Sequence, residues 1–311
     1  MWTAEGNQAN AQFGNSVASA GDVNGDGYDD VIVGAPEYTS RFNAEGAVFL
    51  YLGGPRGLAP HPAWSLYGGT RDSGLGFLLA RTGDVNHDGY ADVLVGAPTW
   101  KGAGTAGGGR AQLFLGGPRG LASRPVWTAV GDQIAGGFGY STGGVGDVNG
   151  DGCADIIIMQ AFYSGRSAHE GRALLYLGGP HGAGASPVWT GQGFSSGGGL
   201  STGAPGIGDV NGDGVPDIMV GSGGYSASPD RRWLGIVAVY LSPRDPRRPH
   251  PAWYRAGDEP GVPISYWGYP AGDFNGDGLA DLVVAQGTWP SDEDRRGRCL
   301  LFLGQRVKLP R

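Results

Sequence analysis

Three features of the 311-residue sequence predict an all-β fold, a β-propeller of four-stranded blades. A stretch rich in Asp, Asn and Gly recurs five times at a nearly constant interval. Short apolar runs bounded by Gly, Pro or Asp, four to a unit, lie around it. No segment sustains the apolar period of an amphipathic helix.

The recurring stretch is GDVNGDGYDDVIVGAP at Gly21, GDVNHDGYADVLVGAP at Gly83, GDVNGDGCADIIIMQA at Gly146, GDVNGDGVPDIMVGSG at Gly208 and GDFNGDGLADLVVAQG at Gly272. Its first Asp falls at 22, 84, 147, 209 and 273, giving intervals of 62, 63, 62 and 64 residues. A period of this size decides the architecture. Five units of about 62 residues fill 1–311, read here as a single propeller domain. In the first unit strands are expected at Phe13–Ala20, Asp30–Gly34 and Ala47–Leu52, and around Trp64–Tyr67. The third strand ends in an aromatic (Tyr51, Phe114, Tyr176, Tyr240, Phe302), and the fourth opens on a Pro-x-Trp at Trp64, Trp127, Trp189 and Trp253. Between them LGGPRGL, or a relative of it, marks a turn.

Spacing also addresses ring closure. The third-strand aromatic precedes the Trp by 13 residues in every internal copy, but only nine residues follow Phe302. Trp2 stands 11 residues before Phe13, as Trp64 stands before Leu75, Trp127 before Phe138, Trp189 before Leu200 and Trp253 before Ile264. The N-terminal strand is therefore expected to complete the last blade and close a five-bladed ring, leaving no unpaired edge. A piece of a larger ring is the alternative. Pro205 and Pro270, inside the first strand of their units, fit an edge strand at the axis.

The formal charge is −7, which argues against nucleic acid as a partner. Five bound divalent cations would carry it to +3, so the acidity belongs mostly to the repeated loops. No apolar run is long enough for a membrane helix, and no membrane insertion is expected. Met1 leads directly into the first repeat, and no signal peptide is visible in the sequence. Cys153 and Cys299 lie in different repeats and give no disulfide framework.

The loop reads D-x-N-x-D-G-x-x-D. Position 1 is Asp22, Asp84, Asp147, Asp209 and Asp273; position 3 is Asn24, Asn86, Asn149, Asn211 and Asn275. Position 5 is Asp26, Asp88, Asp151, Asp213 and Asp277; position 9 is Asp30, Asp92, Asp155, Asp217 and Asp281. Position 7 varies freely as Tyr28, Tyr90, Cys153, Val215 and Leu279, which suits a backbone-carbonyl ligand. Hard oxygen donors, a glycine at position 6 and a carbonyl at position 7 are calcium-loop features. The His and Cys positions that would favour zinc are missing. The expectation is up to five structural Ca2+ ions, each pinning a β-hairpin; the alternative is a set of Asp-Gly turns without an ion.

With these residues in hand, FGNSVASAGDVNGDGYDDVIVGAP resembles the FG-GAP repeat of integrin α-subunit propellers and related bacterial and lectin-like proteins. The resemblance covers essentially the whole chain. It implies a β-propeller with calcium in the hairpin between strands one and two, on one face. Two features depart from the pattern. Leu75, Leu200 and Ile264 replace the Phe of FG, and GAP survives only at Gly34–Pro36 and Gly96–Pro98. Integrin propellers have seven blades, and this chain has five repeats.

Sixteen residues after each first Asp stands an aromatic: Tyr38, Trp100, Tyr163, Tyr225 and Trp289. It follows strand two, at the mouth opposite the Asp loops, and all length variation in the repeat falls just after it. A rigid scaffold with one variable loop set suits a binding face. These rings are the candidate ligand-binding residues, as a collar for a cation or a sugar face; packing between blades is the alternative. In integrins, aromatics near this mouth receive a basic side chain of the partner subunit. The five histidines occupy different repeat positions and form no shared site.

The sequence is therefore read as a non-catalytic, calcium-stabilised binding or adhesion module, a monomer recognising a protein or surface ligand. A lectin propeller is the alternative, and a polysaccharide-acting enzyme ranks below both. Extracellular-type calcium sites imply a secreted or cell-surface setting.

Overall fold

Each repeat folds as an antiparallel meander, because short β-branched and aromatic runs alternate with Gly-rich turns that reverse the chain. The computed structural model describes residues 2–102, 108–200, 205–241, 250–264, 268–287 and 296–306. The first blade holds β1 (Ser16–Gly21), β2 (Asp30–Ala35), β3 (Ala47–Tyr51) and β4 (Trp64–Tyr67), paired in that order. The second holds β5 (Val93–Ala97), β6 (Arg110–Phe114) and β7 (Trp127–Val130), with the bridge Gly83↔Asp92 standing for its first strand. The third holds β8 (Phe138–Gly146), β9 (Asp155–Gln160), β10 (Arg172–Tyr176) and β11 (Trp189–Gln192). The fourth holds β12 (Gly206–Gly208), β13 (Asp217–Ser222), β14 (Ile236–Tyr240) and β15 (Trp253–Ala256). The fifth holds β16 (Gly268–Gly272), β17 (Asp281–Gln286) and β18 (Arg298–Phe302). The fold is an all-β, five-bladed β-propeller. Residues 13–15, expected as strand, form the turn into β1.

The core lies between blades. One apolar cluster joins the first blade to the second through Ile32, Leu50, Val93 and Phe114. Equivalent clusters join the second to the third, the third to the fourth and the fourth to the fifth. The repeated Trp closes each seam by an edge-on contact with the third-strand aromatic of the following blade. Ring centroids are 5.0 Å apart for Trp64–Phe114, 5.1 Å for Trp127–Tyr176, 4.9 Å for Trp189–Tyr240 and 4.8 Å for Trp253–Phe302. Edge-to-face pairs of this kind add stability beyond the area they bury. The Gly of GAP belongs to the same seams: a Cβ on Gly34 or Gly96 would overlap the carbonyl oxygen of Gly76 or Gly139.

Trp2, expected in the fourth strand of the last blade, packs its ring on the first blade. Its ring stands edge-on to Tyr51 at 5.1 Å, and its Nε1 donates to the Ala59 carbonyl at 3.0 Å. Trp64 does the same to Phe114 and Ala122. With Ala4 and Phe13, Trp2 covers Phe49 and Tyr51. The closing strand departs from expectation. Among the described residues β18 pairs with β17 alone, and residues 2–6 join no ladder. Ring packing on one blade and backbone pairing with another are separate contacts, and the N-terminal segment makes only the first.

Deleting residues 2–6 should strip the cover from Tyr51 and Phe49. Denaturant unfolding should show a loss of about 2–4 kcal/mol, in the range for removing a large aromatic from a packed site; an unchanged midpoint would refute this role for Trp2.

Candidate metal loops and the opposite face

The five Asp loops connect the first and second strands of their blades and adopt one conformation. In the first, Asp22 Oδ1 accepts from the N–H groups of Gly25 at 2.7 Å and Asp26 at 3.1 Å, and Oδ2 accepts from Gly27 at 2.7 Å. Asn24 donates to Asp26 Oδ2 at 3.0 Å, and the Tyr28 N–H donates to Asp26 Oδ1 at 3.0 Å. The same bonds recur at Asp147, Asp209 and Asp273, and at Asp84 all of them recur but the one from position 4, where His87 replaces the glycine. Partial burial alone would raise the Asp22 carboxyl. The N–H groups of Gly27, Gly25, Asp26 and Asn24 outweigh it and hold the group below the usual carboxylate range.

Position 9 behaves differently. Asp30, Asp92, Asp155, Asp217 and Asp281 are fully buried. Asp30 Oδ2 accepts from the Val23 N–H at 2.8 Å within the loop, and Oδ1 accepts from Gly53 at 2.7 Å, just beyond β3. Asp92 holds Val85 and Gly116, Asp155 holds Val148 and Gly178, and Asp281 holds Phe274 and Gly304 in the same way. This carboxylate ties the hairpin to the third strand, a role that the spacing of oxygen donors alone does not reveal. Burial pushes Asp92 up to about 7 against the pull of those N–H groups, with the Asp88 and Asp84 charges adding to it. Asp155 rises to about 6 by the same causes.

The donor set fits a hard divalent cation: every side-chain donor is an oxygen, and the buried Oδ1 of Asn86 has no hydrogen-bond partner. Among the described residues, no three His, Cys, Asp or Glu side chains converge as a preformed cage. The carboxylates at positions 1 and 5 are engaged with the N–H groups of their own loop instead. The loops also build the seams between blades. The carbonyls of Asp22, Asp84 and Asp209 accept from the N–H of Ala91, Ala154 and Ala280 in the next blade, at 2.9, 2.7 and 2.8 Å.

Residues 13–51, 80–114 and 202–240 match the FG-GAP repeat, and residues 147–220 match the FG-GAP-like repeat. The chain belongs to the FG-GAP repeat β-propellers. This FG-GAP propeller is 40% identical to integrin alpha-IIb of Mus musculus over 161 residues, covering 49% of the chain and 15% of the relative. It is 36% identical to integrin alpha-8 of Mus musculus over 175 residues, 52% of the chain and 16% of the relative. Integrin alpha-PS2 of Drosophila melanogaster is 35% identical over 171 residues, 51% of the chain and 12% of that protein. The FG-GAP propeller thus matches only a small part of each relative's length.

At the opposite end of the blades, Tyr38, Trp100, Tyr163 and Tyr225 are half-buried, and each packs locally. Tyr38 lies 5.7 Å from Phe49 and 5.8 Å from Tyr67, and Tyr225 lies 6.4 Å from Phe194. Arg110 covers Trp100 at 4.6 Å and Arg172 covers Tyr163 at 3.9 Å. Burial pushes the Arg110 guanidinium down to about 10. No two of these four rings pair with each other, and Trp289 lies outside the described residues. A different set comes together on this face. Phe77 lies 5.0 Å from Tyr140, and Tyr140 lies 5.7 Å from Phe162, a ladder across neighbouring blades. It lines a groove of about 970 Å³ with Glu37, Asp72, Lys101 and Ile134. The signal for it in the sequence is the residue two after each FG-type position, an aromatic at Phe77, Tyr140 and Tyr266.

Asp155→Ala should leave the N–H groups of Val148 and Gly178 buried without an acceptor, at about 1–3 kcal/mol each. Asp151→Ala, at an exposed position, should cost far less in cation-free buffer. Thermal melting of both variants in chelator decides between them, and equal losses would contradict the tie.

Proposed function

We propose that this FG-GAP propeller is a non-catalytic, adhesion-type binding module that takes a protein partner on the face opposite its Asp loops. The observation that carries the reading is the aromatic groove. Phe162 is 44% and Ile134 67% exposed, large apolar groups beside a ladder of rings and the charged ends of Glu37, Asp72 and Lys101. Concave apolar sites with a few polar groups are where ligands bind, and exposed apolar surface of this kind marks interaction sites. Tyr38, Trp100, Tyr163 and Tyr225 stand half-buried at the same end of the blades. The integrin α relatives support a protein-binding role in an extracellular setting. Phe162→Ala combined with Tyr140→Ala should abolish capture of a cell-surface ectodomain panel while leaving the fold intact by circular dichroism. Retained capture would overturn the reading.

On the same reading, a divalent cation such as Ca2+ occupies each loop, held by positions 1, 3, 5 and 9 with the carbonyl of position 7. Its charge offsets the crowding of three carboxylates per loop and the unfavourable ionisation of buried Asp92 and Asp155. Binding only the folded state adds RT ln(1 + [L]/Kd) per site. The melting temperature should therefore rise with Ca2+ and fall in EDTA, and identical midpoints would refute the cation's role.

A lectin reading draws on one further feature. Trp233 is 53% exposed and sits at φ 56°, a backbone region that bulky side chains avoid, between Arg232 and the start of β14. A glycan array run with the parent and Trp233→Ala separates this reading from the protein-binding one.

A further inference from the structure

Four seams join consecutive blades, and three kinds of contact recur in them. The first is a bare glycine before the first Asp: a Cβ on Gly21, Gly83, Gly146 or Gly208 would meet the side chain of Ala91, Ala154, Pro216 or Ala280 in the next blade. The second is the carbonyl of that first Asp, accepting from the N–H of the same residue except where Pro216 has none. The third is the carbonyl one residue later. Val23, Val85 and Val210 accept from Gly117, Gly179 and Gln305 at 2.9, 2.9 and 2.8 Å.

The fifth blade carries the same face with nothing on it among the described residues. Nothing lies within 4 Å of a Cβ built on Gly272 or Gly276. The carbonyls of Asp273 and Phe274 accept no backbone bond. Phe274 is 72% exposed, whereas its counterparts Val23, Val85 and Val148 are fully buried. Leu301 is 41% exposed, whereas Leu50, its counterpart in β3, is fully buried. The outer edge of β18 has no fourth strand.

The first blade carries the matching half. Among the described residues, the N–H groups of Asp29 and Gly54, which stand where Ala91 and Gly117 stand in the second blade, make no backbone bond. Tyr28 is exposed, whereas its counterpart Tyr90 packs against Gly25. Trp2 already sits on Tyr51, as a fourth-strand Trp of a preceding blade would, while residues 2–6 pair with no strand. Donors match acceptors, a projecting tyrosine matches a bare glycine, and a strand without a ladder matches a ladder without its strand. Among the described residues the two surfaces make none of these contacts with each other.

We propose that they meet between molecules: the fifth blade of one copy docks on the first blade of a second, and residues 2–6 of that copy add to β18 as its fourth strand. The contact is heterologous, with a different surface on each partner. It gives the exposed edge of β18 the cover that sheet edges otherwise lack. It also leaves the aromatic groove, at the other end of the blades from the Asp loops, free in both copies.

Light scattering after size exclusion tests it. The parent should run as a dimer or larger, dissociating on dilution. Leu301→Asp places a charge on the fifth-blade face and Tyr28→Asp places one on the first-blade face; each alone should be monomeric, and in chelator, where the loop that Tyr28 belongs to holds no cation, each should melt like the parent treated the same way. Because each variant keeps one intact surface, mixing them should restore a dimer. Tyr254→Asp, on the outer strand of the fourth blade, should leave assembly unchanged. A monomeric parent at all concentrations, as closure within one chain would give, overturns the proposal. So does a mixture that stays monomeric, which would point to a contact between like surfaces.

Discussion

The buried carboxylate at the ninth loop position is the contact on which the other elements depend. It has no solvent to stabilise its charge, so its two oxygens must find donors within the protein. They find one N–H in the loop and one just past the third strand. That pair of bonds fixes where the first strand, the second strand and the third strand stand relative to one another. It also fixes the direction of the loop carbonyls, and these accept the backbone bonds of the next blade. A Gly-rich chain with short strands has little apolar area per blade. Among the described residues one charged tie recurs in four blades, and it holds the strands on which the apolar seams close.

The same geometry separates two functions along the blade. The Asp loops are committed to internal bonds, seams and, on the proposed reading, a cation. Their length does not vary, and the same carboxylate-to-N–H bond recurs in every copy. The far end of the blade has no such constraint. There the chain varies in length and composition, and aromatic side chains stand partly in solvent. On the proposed reading, an FG-GAP propeller can therefore change what it binds at one end without disturbing what holds it together at the other.

Much of the fold was legible in the sequence because the repeat supplied its own internal comparison. The four-run unit, the Asp hairpin and the constant 13-residue step from the third-strand aromatic to the Trp all follow from fixed spacing. The seat of Trp2 on Tyr51 of the first blade does not, because spacing assigns a residue to a strand and not to the ring it meets. The candidate ligand rings were less legible. Tyr38, Trp100, Tyr163 and Tyr225 share a spacing, but spacing does not say which way a ring turns. Arg110 and Arg172, which cover two of them, open the third strand in a Gly-Arg pair that recurs at Arg298, but the pair lies apart from the rings in sequence and does not announce the contact. The Phe77–Tyr140–Phe162 ladder draws on two repeat positions in adjacent blades, and a single-repeat alignment does not bring them together.

The sequence by itself determined the blade: its strand order, its turn chemistry and the oxygen-rich loop, all local consequences of residues within one 62-residue unit. The tertiary structure alone decided what each unit meets. The ninth-position Asp was a candidate ligand until burial showed it holding two distant N–H groups. The spacing of Trp2 announced a fourth strand, yet the strand it would pair with depends on how far each blade rotates about the axis. That rotation is set by side-chain packing summed over every seam, a quantity no single repeat encodes.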